Sequence, residues 1–235
     1  MKHFTNNHLY EDMLEQVHLL IAGATGSGKS VVINGMLTTA LYRNPKQAHF
    51  ILIDPKRVEL VEYADLPHTI KYASEPFEML EALQTAMKIT EKRYRIMQSR
   101  RVRKWEGGDL YVVIDELADL LTTMKKQVKP LLQRLAQIGR AAKVHLLVAT
   151  QCPLSSILDT SIKCNFDARV ALRTRSRQDS RNIMEMAGCE TLPRYGKAYY
   201  MKPEGTDLID VPMLDENDRK KLIAYWIENA DQTAM

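Results

Sequence analysis

The feature that most constrains the fold is the stretch AGATGSGKSV at residues 22–31, which lies between an aliphatic run and a helix-like run. It matches the pattern G-x-x-x-x-G-K-[ST] at Gly23, Gly28, Lys29 and Ser30. Glycines let the backbone N–H groups of such a loop turn inward around phosphate oxygens, because a Cβ would block those dihedral angles. A flexible turn would need neither the flanking runs nor the Lys-Ser pair. The stretch therefore predicts a phosphate-binding loop that joins a strand to a helix.

The residue types of this loop suit a nucleoside triphosphate with its metal ion. Free N–H groups and the dipole at the start of the following helix favour an anion. Lys29 is expected to reach the β- and γ-phosphates, and the Ser30 hydroxyl is expected to ligate Mg²⁺, a hard cation that prefers oxygen. The residues predicted to bind the nucleotide are Gly23, Ala24, Thr25, Gly26, Ser27, Gly28, Lys29, Ser30 and Val31.

The rest of the chain alternates strand-like and helix-like runs. The strand-like runs are VHLLIA (17–22), AHFILID (48–54), LYVVID (110–115), VHLLVAT (144–150) and FDARVAL (166–172). Each is almost continuously apolar, as expected of a parallel strand that is buried on both faces. The helix-like segments lie near residues 30–43, 76–100, 125–141 and 178–187. This alternation predicts an α/β fold with a doubly wound, mostly parallel sheet.

Polar residues directly after these runs carry the chemistry, because ligands of parallel sheets bind beyond the carboxyl ends of the strands. Asp115 is expected to hold Mg²⁺, and Glu116 to orient and deprotonate an attacking water. The presence of Glu116 favours a motor-type ATPase over a GTPase switch. The alternative role for Glu116 is that of an acid at a helix N-terminus that complements the helix dipole. Gln151 is expected to hydrogen-bond the γ-phosphate, with a plain loop residue as the alternative. The Asp-Pro-Lys segment at 54–56 has no role that follows from its residues.

Length and hydropathy predict a single cytoplasmic domain. The chain has 235 residues and no linker-like stretch, so we expect one domain, with a core at about 17–200 and an extension at 201–235 that holds a β-hairpin and a helix. No apolar run reaches the length of a membrane span, and the N-terminal residues lack the apolar region of a signal peptide. We therefore expect no direct membrane insertion.

Cysteines and histidines do not indicate a second site. Cys152, Cys164 and Cys189 lack the spacing of metal ligands, which predicts free thiols in a reducing compartment. His18 and His145 lie inside aliphatic runs. They are therefore predicted to be core histidines with satisfied hydrogen bonds and not ligands or bases.

The charge is unevenly distributed. The formal net charge is only +4, yet residues 92–104 are rich in Lys and Arg without an acid, and residues 169–181 contain five arginines. Such clusters on a nearly neutral chain indicate a polyanionic partner. For residues 92–104 the alternative is a solvated helix face paired with preceding glutamates. The second cluster, Arg169, Arg173, Arg175, Arg177 and Arg181, is the stronger indication.

Five segments taken together indicate a family. They are HLLIAGATGSGKS, FILIDPKRVEL, YVVIDELADL, RLAQIGRAAKVHLLVATQ and SRQDSRNI. In this order, from about residue 17 to 200, the chain resembles the FtsK/SpoIIIE family of DNA-pumping ATPases. The resemblance implies a RecA-like P-loop NTPase that assembles into a hexameric ring, hydrolyses ATP between subunits and draws double-stranded DNA through the central pore.

The resemblance also implies roles for single residues. In such rings an arginine of the neighbouring subunit completes the site, and the matching position is Arg140, for which a helix C-terminal cap is the alternative. The family's pore loops map DNA contacts onto Lys163, Arg177 and Arg181. The family usually has Arg after the ATQ glutamine, whereas this chain has Cys152. One expected DNA contact is therefore missing.

Other departures concern the parts around the motor. Members of the family commonly carry membrane helices and a winged-helix module, and neither fits this sequence, so a separate membrane-anchoring or sequence-reading partner is expected. Two other functions stay open from the residues. One is a coupling ATPase for conjugation or protein secretion, and the other is a nucleotide-dependent adaptor that pumps nothing.

Overall fold

The computed structural model describes residues 8–151, 153 and 159–230. Its helices are α1 (His8–Glu15), α2 (Lys29–Arg43), α3 (Pro76–Arg100), α4 (Leu117–Ala142), α5 (Thr160–Lys163), α6 (Arg177–Met184) and α7 (Glu216–Glu228), with 3₁₀ turns at Val61–Tyr63 and Cys189–Thr191. Its strands are β1 (His18–Ala22), β2 (Ala48–Ile53), β3 (Thr69–Ala73), β4 (Asp109–Ile114), β5 (Val144–Thr150), β6 (Ala168–Ala171), β7 (Lys197–Lys202) and β8 (Gly205–Asp210). The expectation about Cys152 lies outside the described residues.

The strands form one sheet in the order β3-β2-β4-β5-β1-β6-β7-β8. The six strands from β3 to β6 in this order are parallel, and β7 and β8 add an antiparallel hairpin. Successive side chains of a strand point to opposite faces, and in β1 Leu19 and Ile21 join one apolar cluster while Leu20 joins another. Helices α1, α2 and α7 cover the first face, and α3 and α4 cover the second. The predicted doubly wound, mostly parallel α/β fold is confirmed.

Several elements differ from the prediction. Strand β3 is only partly buried at the sheet edge, so it lacks the continuous apolar run of the inner strands. Helix α4 begins at Leu117 and not near residue 125, because two helical parts meet at Met124, whose φ of −137° is non-helical. The hairpin begins at Lys197, inside the expected core. In the described part of the chain, no helix is long and apolar enough to cross a membrane.

His18 is a core histidine, as predicted. Its Nε2 donates to the carbonyl of Ala136 at 2.9 Å, and its Nδ1 accepts from the backbone N–H of Leu146 at 3.1 Å. Both ring nitrogens are therefore used by the neutral form. Burial is the main cause that lowers the pKa of His18 to about 4. The two hydrogen bonds of this ring connect β1 to the last turns of α4 and to β5.

This buried ring predicts a loss of stability in mild acid. The unfolded chain takes up a proton at His18 near pH 6.5, whereas the folded chain does so only near pH 4. The contribution of His18 is therefore complete above pH 6.5 and is lost as the pH falls toward 4, by about 2 kcal/mol between pH 7 and pH 5. Denaturant unfolding at both pH values, for the wild type and His18→Asn, measures it. The variant should lose about 2 kcal/mol less than the wild type; an equal loss in both proteins would contradict the assignment.

Candidate functional site

The loop between β1 and α2 needs its glycines for two separate reasons. Gly26 has a φ of +69° and Gly28 a φ of +104°, in the left-handed region that other residues rarely adopt. A Cβ on Gly23 would lie 2.5 Å from Ser27 Oγ and 3.0 Å from the Cβ of Leu172. The predicted strand, tight loop and helix are therefore present at residues 18–43.

The loop forms a seat for an anion around Lys29. The first N–H groups of α2 have no acceptor within the helix. The Nζ of Lys29 donates to the carbonyls of Gly23 at 2.8 Å and Ala24 at 3.1 Å. Burial lowers the pKa of Lys29 to about 8, and the charges of Glu116 and Asp115 oppose that shift. Both contacts are to backbone carbonyls of the loop, so the ammonium group is held against the loop.

Ser27 adds a second indication of a ligand seat in the same loop. Its Oγ is buried and has no hydrogen-bond partner within the described residues. A buried hydroxyl without a partner is costly, so such groups in native proteins usually meet a ligand, an ion or a water molecule. The loop is therefore equipped to take up a polar group that comes from outside the chain.

Asp115 follows β4 at the carboxyl ends of the parallel strands, where the loop between β1 and α2 also lies. Burial raises the pKa of Asp115 to about 7, with further repulsion from Asp54 and Glu59 and an opposing effect of Lys56. A divalent cation beside this carboxyl group would relieve the repulsion. Ser30, at the start of α2, adds a hydroxyl oxygen on this edge.

These oxygen donors fit Mg²⁺, which is usually held by one or two carboxylates together with phosphate oxygens. Among the described residues, no group of three or more His, Cys, Asp or Glu side chains is arranged to hold a metal ion. The site therefore suits a cation that arrives with a phosphate ligand and not a closed cage of protein ligands.

Glu116 is almost fully buried between β4 and α4. One carboxylate oxygen, Oε1, accepts from Thr150 Oγ1 at 2.9 Å, from the N–H of Gln151 at 3.2 Å and from the N–H of Ala118 at 3.4 Å. The other oxygen, Oε2, accepts from the same Gln151 N–H at 3.1 Å and from Lys56 Nζ at 3.3 Å. Glu116 thus caps α4, as its structural alternative required, and also faces the end of β5.

Gln151 lies directly against the phosphate-binding loop. Thr25 Oγ1 donates to Gln151 Oε1 at 2.7 Å, so the amide that follows β5 is tied to the most exposed part of the loop. The backbone of the same residue holds Glu116. The structure therefore brings the predicted residues Lys29, Asp115, Glu116 and Gln151 to one end of the sheet.

Two arginines beside the loop do not follow from the sequence pattern. Arg175 Nη2 lies 3.5 Å from Thr25 Oγ1. Arg194 lies over Gly26, since a Cβ on that glycine would be 3.2 Å from Arg194 Nη2. Arg175 belongs to a cluster that suggested a polyanion, but Arg194 stands alone in the sequence. Both guanidinium groups add positive charge beside the predicted phosphate-binding loop.

Arg140 lies at the amino ends of the parallel strands, opposite the carboxyl ends where the loop between β1 and α2 lies. It is in the last turn of α4, next to the start of β5, whereas Gln151 and the phosphate-binding loop lie at the end of β5. The seven residues of β5 separate the two edges by about 20 Å. Arg140 therefore cannot reach the loop of its own chain.

The side chain of Arg140 is exposed and does not cap its helix. The final carbonyls of α4 are capped instead by Arg93, whose Nη1 donates to Ala142 at 2.7 Å and to Lys143 at 2.9 Å. Within the described residues, the Arg140 guanidinium makes no hydrogen bond or ion pair. The helix-cap alternative for Arg140 is thus wrong.

The basic cluster at residues 169–181 is not one surface. Arg169 is buried, where it donates to the carbonyls of Phe166 and Ile183 and pairs with Glu185 at 3.0 Å, so its assignment to a polyanion surface is wrong. Arg177 and Arg181 are exposed one turn apart on α6, a spacing that puts them on the same helix face.

The other basic residues behave differently. Lys163 is half-buried against α6 and donates to the carbonyl of Asn182 at 3.3 Å. In the cluster at 92–104, Arg93 is buried as described, whereas the remaining basic residues are exposed. Of the cysteines, Cys164 is exposed and Cys189 is buried, and both are free thiols.

Comparison with known proteins gives a family match over most of the chain. The model of the FtsK/SpoIIIE family matches residues 1–110 and 108–155. The DNA translocase FtsK of Helicobacter pylori (strain ATCC 700392 / 26695) is 36% identical over 95% of the chain, and that of Chlorobaculum tepidum is 39% identical over 81%. The chain spans 28% and 26% of the length of these two relatives.

Solved structures show the same fold. The pCW3 conjugation coupling protein TcpA, solved as a monomer with ATPγS, superposes with a TM-score of 0.79 at 21% identity, over 91% of this chain and 66% of that one. The cytoplasmic domain of the type VII secretion ATPase EccC of Thermomonospora curvata gives 0.76 at 22% identity, over 93% and 28%. At these identities the likeness concerns the fold alone.

Proposed function

The chain belongs to the FtsK/SpoIIIE family, and from that premise we propose that it is an ATP-hydrolysing motor that moves double-stranded DNA. The observation that carries the proposal is the convergence of Lys29, Asp115, Glu116 and Gln151 on one loop, with Arg140 exposed at the far edge. Relatives named DNA translocase FtsK support DNA as the substrate that is moved.

Hydrolysis needs a positioned water and stabilisation of the phosphate charge. Glu116 orients the water and takes its proton as the water oxygen bonds to the γ-phosphorus. The bond between the γ-phosphorus and the bridging oxygen breaks, and ADP leaves with its electron pair. Lys29 and the N–H groups of the loop stabilise the developing charge. When bound, Mg²⁺ would neutralise part of the phosphate charge, held by Ser30 and Asp115.

The position of Arg140 supports action between subunits. Its side chain faces a depression of roughly 500 Å³ that is also lined by Arg43, Lys104, Lys143, Glu15 and Asp109. The basic side chains outnumber the acids. Such a positive face suits the triphosphate of a neighbouring copy, where an arginine stabilises the charge on the transferring phosphoryl group. We therefore propose a homo-oligomer with its sites between subunits, as a ring of six by likeness to the family.

The proposed DNA contacts are Lys163, Arg177 and Arg181. Lys163 lies on α5, which comes between β5 and β6, and the two arginines lie on α6, which follows β6. A motor that passes all sequences needs contacts to phosphates and not to base edges. Long side chains with exposed cationic groups, such as Arg177, meet this need.

The salt dependence of DNA binding tests this surface. If Lys163 and Arg177 each neutralise a phosphate, removing both should flatten the slope of log K against log salt by about two units. Equilibrium binding to a duplex at several salt concentrations, with the double variant Lys163→Ala/Arg177→Ala, measures it. The matched control is Lys92→Ala/Arg95→Ala, on the exposed face of α3. A slope that changes only in the control would move the DNA site to residues 92–104.

Steady-state ATP hydrolysis tests the proposed function itself. The purified chain is assayed without nucleic acid, with long duplex DNA and with single strands. We expect the duplex to stimulate hydrolysis most strongly. Stimulation by single strands or by a secreted peptide would favour the coupling ATPase, and hydrolysis that no nucleic acid changes at any salt concentration would contradict the DNA motor.

A further inference from the structure

The segment after β2, which contains Asp54 and Lys56, forms a fixed loop. Asp54 is fully buried, and its Oδ2 accepts from the backbone N–H of Leu60 at 2.9 Å. Its carbonyl accepts from the N–H of Arg57 at 3.1 Å, and Arg57 itself has a φ of +57°. The hydrogen bond to the Asp54 side chain closes the loop, and Arg57 has a left-handed backbone conformation. Both features restrict the backbone of the loop. The loop thus fixes where the side chain of Lys56 begins.

The ammonium group of Lys56 pairs with Glu116. Its Nζ lies 3.3 Å from Glu116 Oε2, with the Lys56 side chain 39% exposed and that of Glu116 only 4%. Lys56 also acts electrostatically on Asp115 and on Lys29, so it shares their site. A cationic side chain of the same chain therefore reaches the proposed catalytic carboxylate.

The hydrogen-bonding capacity of Glu116 is filled. A carboxylate offers about four acceptor positions. Glu116 receives donors from the Thr150 hydroxyl, the N–H groups of Gln151 and Ala118, and the Lys56 ammonium. No acceptor position remains for the proton of a water.

Lys56 is the contact of Glu116 that can be released most easily. The Gln151 and Ala118 donors are backbone groups, and Thr150 is buried at the end of a central strand. Lys56 is instead a long side chain that is partly exposed to solvent. Its charged head can leave Glu116 without moving any backbone, because only side-chain torsions have to change.

We propose that Lys56 is a positioning residue that holds Glu116 away from water, and that it must leave Glu116 before hydrolysis. The inference rests on the proposed function. The incoming γ-phosphate offers Lys56 a more highly charged partner than a single carboxylate. The departure of Lys56 then frees one position of Oε2 for the attacking water, so ATP binding itself prepares the base.

Lys56→Met tests the restraint, because it keeps the aliphatic stem and removes the charge. We expect kcat without DNA to rise about three- to tenfold, the scale of releasing one partly buried ion pair. The Kd of a fluorescent ATP analogue should change less than about twofold. The readouts are steady-state hydrolysis with and without duplex, and equilibrium titration with the analogue.

Three further variants serve as controls. Lys56→Arg keeps the ion pair and should keep the low rate without DNA. Lys46→Met makes the same change at an exposed lysine in the turn before β2 and should leave every readout unchanged. Adding Glu116→Gln to Lys56→Met should abolish the gain, since the gain acts through Glu116.

Two results would overturn the inference. A lower kcat with and without duplex at unchanged Kd would mean that Lys56 orients Glu116 productively. A weaker Kd would mean that Lys56 binds the nucleotide directly. The proposed function fails separately if duplex does not stimulate the wild type, while a gain in Lys56→Met would still support the restraint. If neither the wild type nor Lys56→Met hydrolyses ATP, both proposals fall.

Discussion

Replacing Glu116 with Gln is expected to lower kcat for ATP hydrolysis by about two orders of magnitude or more, with ATP binding almost unchanged. The amide has the shape of the carboxylate and still offers one oxygen to the N–H groups of Ala118 and Gln151. It cannot take a proton from water. The rate therefore falls although the fold and the nucleotide seat stay intact, which steady-state kinetics and equilibrium binding measure together.

The matched control is Asp119→Asn, an acid in the first turn of the same helix. It removes one negative charge near the start of α4 and should change kcat less than about twofold. If Glu116→Gln turned over at the rate of the wild type, Glu116 would be only the cap of α4, and the catalytic role would have to be assigned to another group.

Arg140→Ala is expected to lower kcat by about a hundredfold or more in the assembled protein, since an arginine that acts across subunits is worth at least that much in related phosphoryl transfers. ATP binding to its own subunit should be unchanged, because Arg140 lies at the edge of the sheet away from its own loop. Arg134→Ala, an exposed arginine on the same helix, is the matched control and should behave like the wild type.

Mixing two inactive variants separates action between subunits from a structural effect. An Arg140→Ala subunit has an intact Glu116, and a Glu116→Gln subunit offers an intact Arg140. If the arginine acts on its neighbour, mixed assemblies contain sites with both groups and recover part of the activity. Mixed assemblies that form but recover no activity would contradict the placement of Arg140 in the neighbour's site.

The structure supports a fixed presentation of Arg140. Three side chains bind carbonyls in the last turns of its helix: His18 at 2.9 Å, Tyr94 at 2.9 Å and Arg93 at 2.7 Å. Gly139 allows close packing, because a Cβ there would lie 2.9 Å from His18 Cε1. Functional side chains need such support to stay within reach of a reacting group.

The parts of the fold that sequence could predict are those with local signals. Five parallel strands, β1, β2, β4, β5 and β6, lie in almost continuously apolar runs, and the loop at residues 23–30 has a fixed spacing of glycines and a lysine. Acids at the end of a buried strand must lie at the edge where ligands bind. Asp115 and Glu116 could therefore be placed beside the loop without any tertiary information.

The parts that could not be predicted depend on contacts distant in sequence. Strand β3 follows from pairing with β2 at the sheet edge and has no apolar run of its own. In the sequence, Arg93 and Arg169 look like members of basic surfaces. In the structure both are buried and donate to backbone carbonyls of other elements, and Arg169 also pairs with Glu185. Lys56 meets Glu116 only because the loop after β2 folds back over the site.

Displacement of a third strand bound to a linear duplex measures whether the protein moves along DNA. We expect the wild type with ATP to remove the third strand, a non-hydrolysable analogue not to support removal, and Glu116→Gln to be inactive. Hydrolysis that duplex stimulates without any displacement of the third strand would contradict movement along DNA.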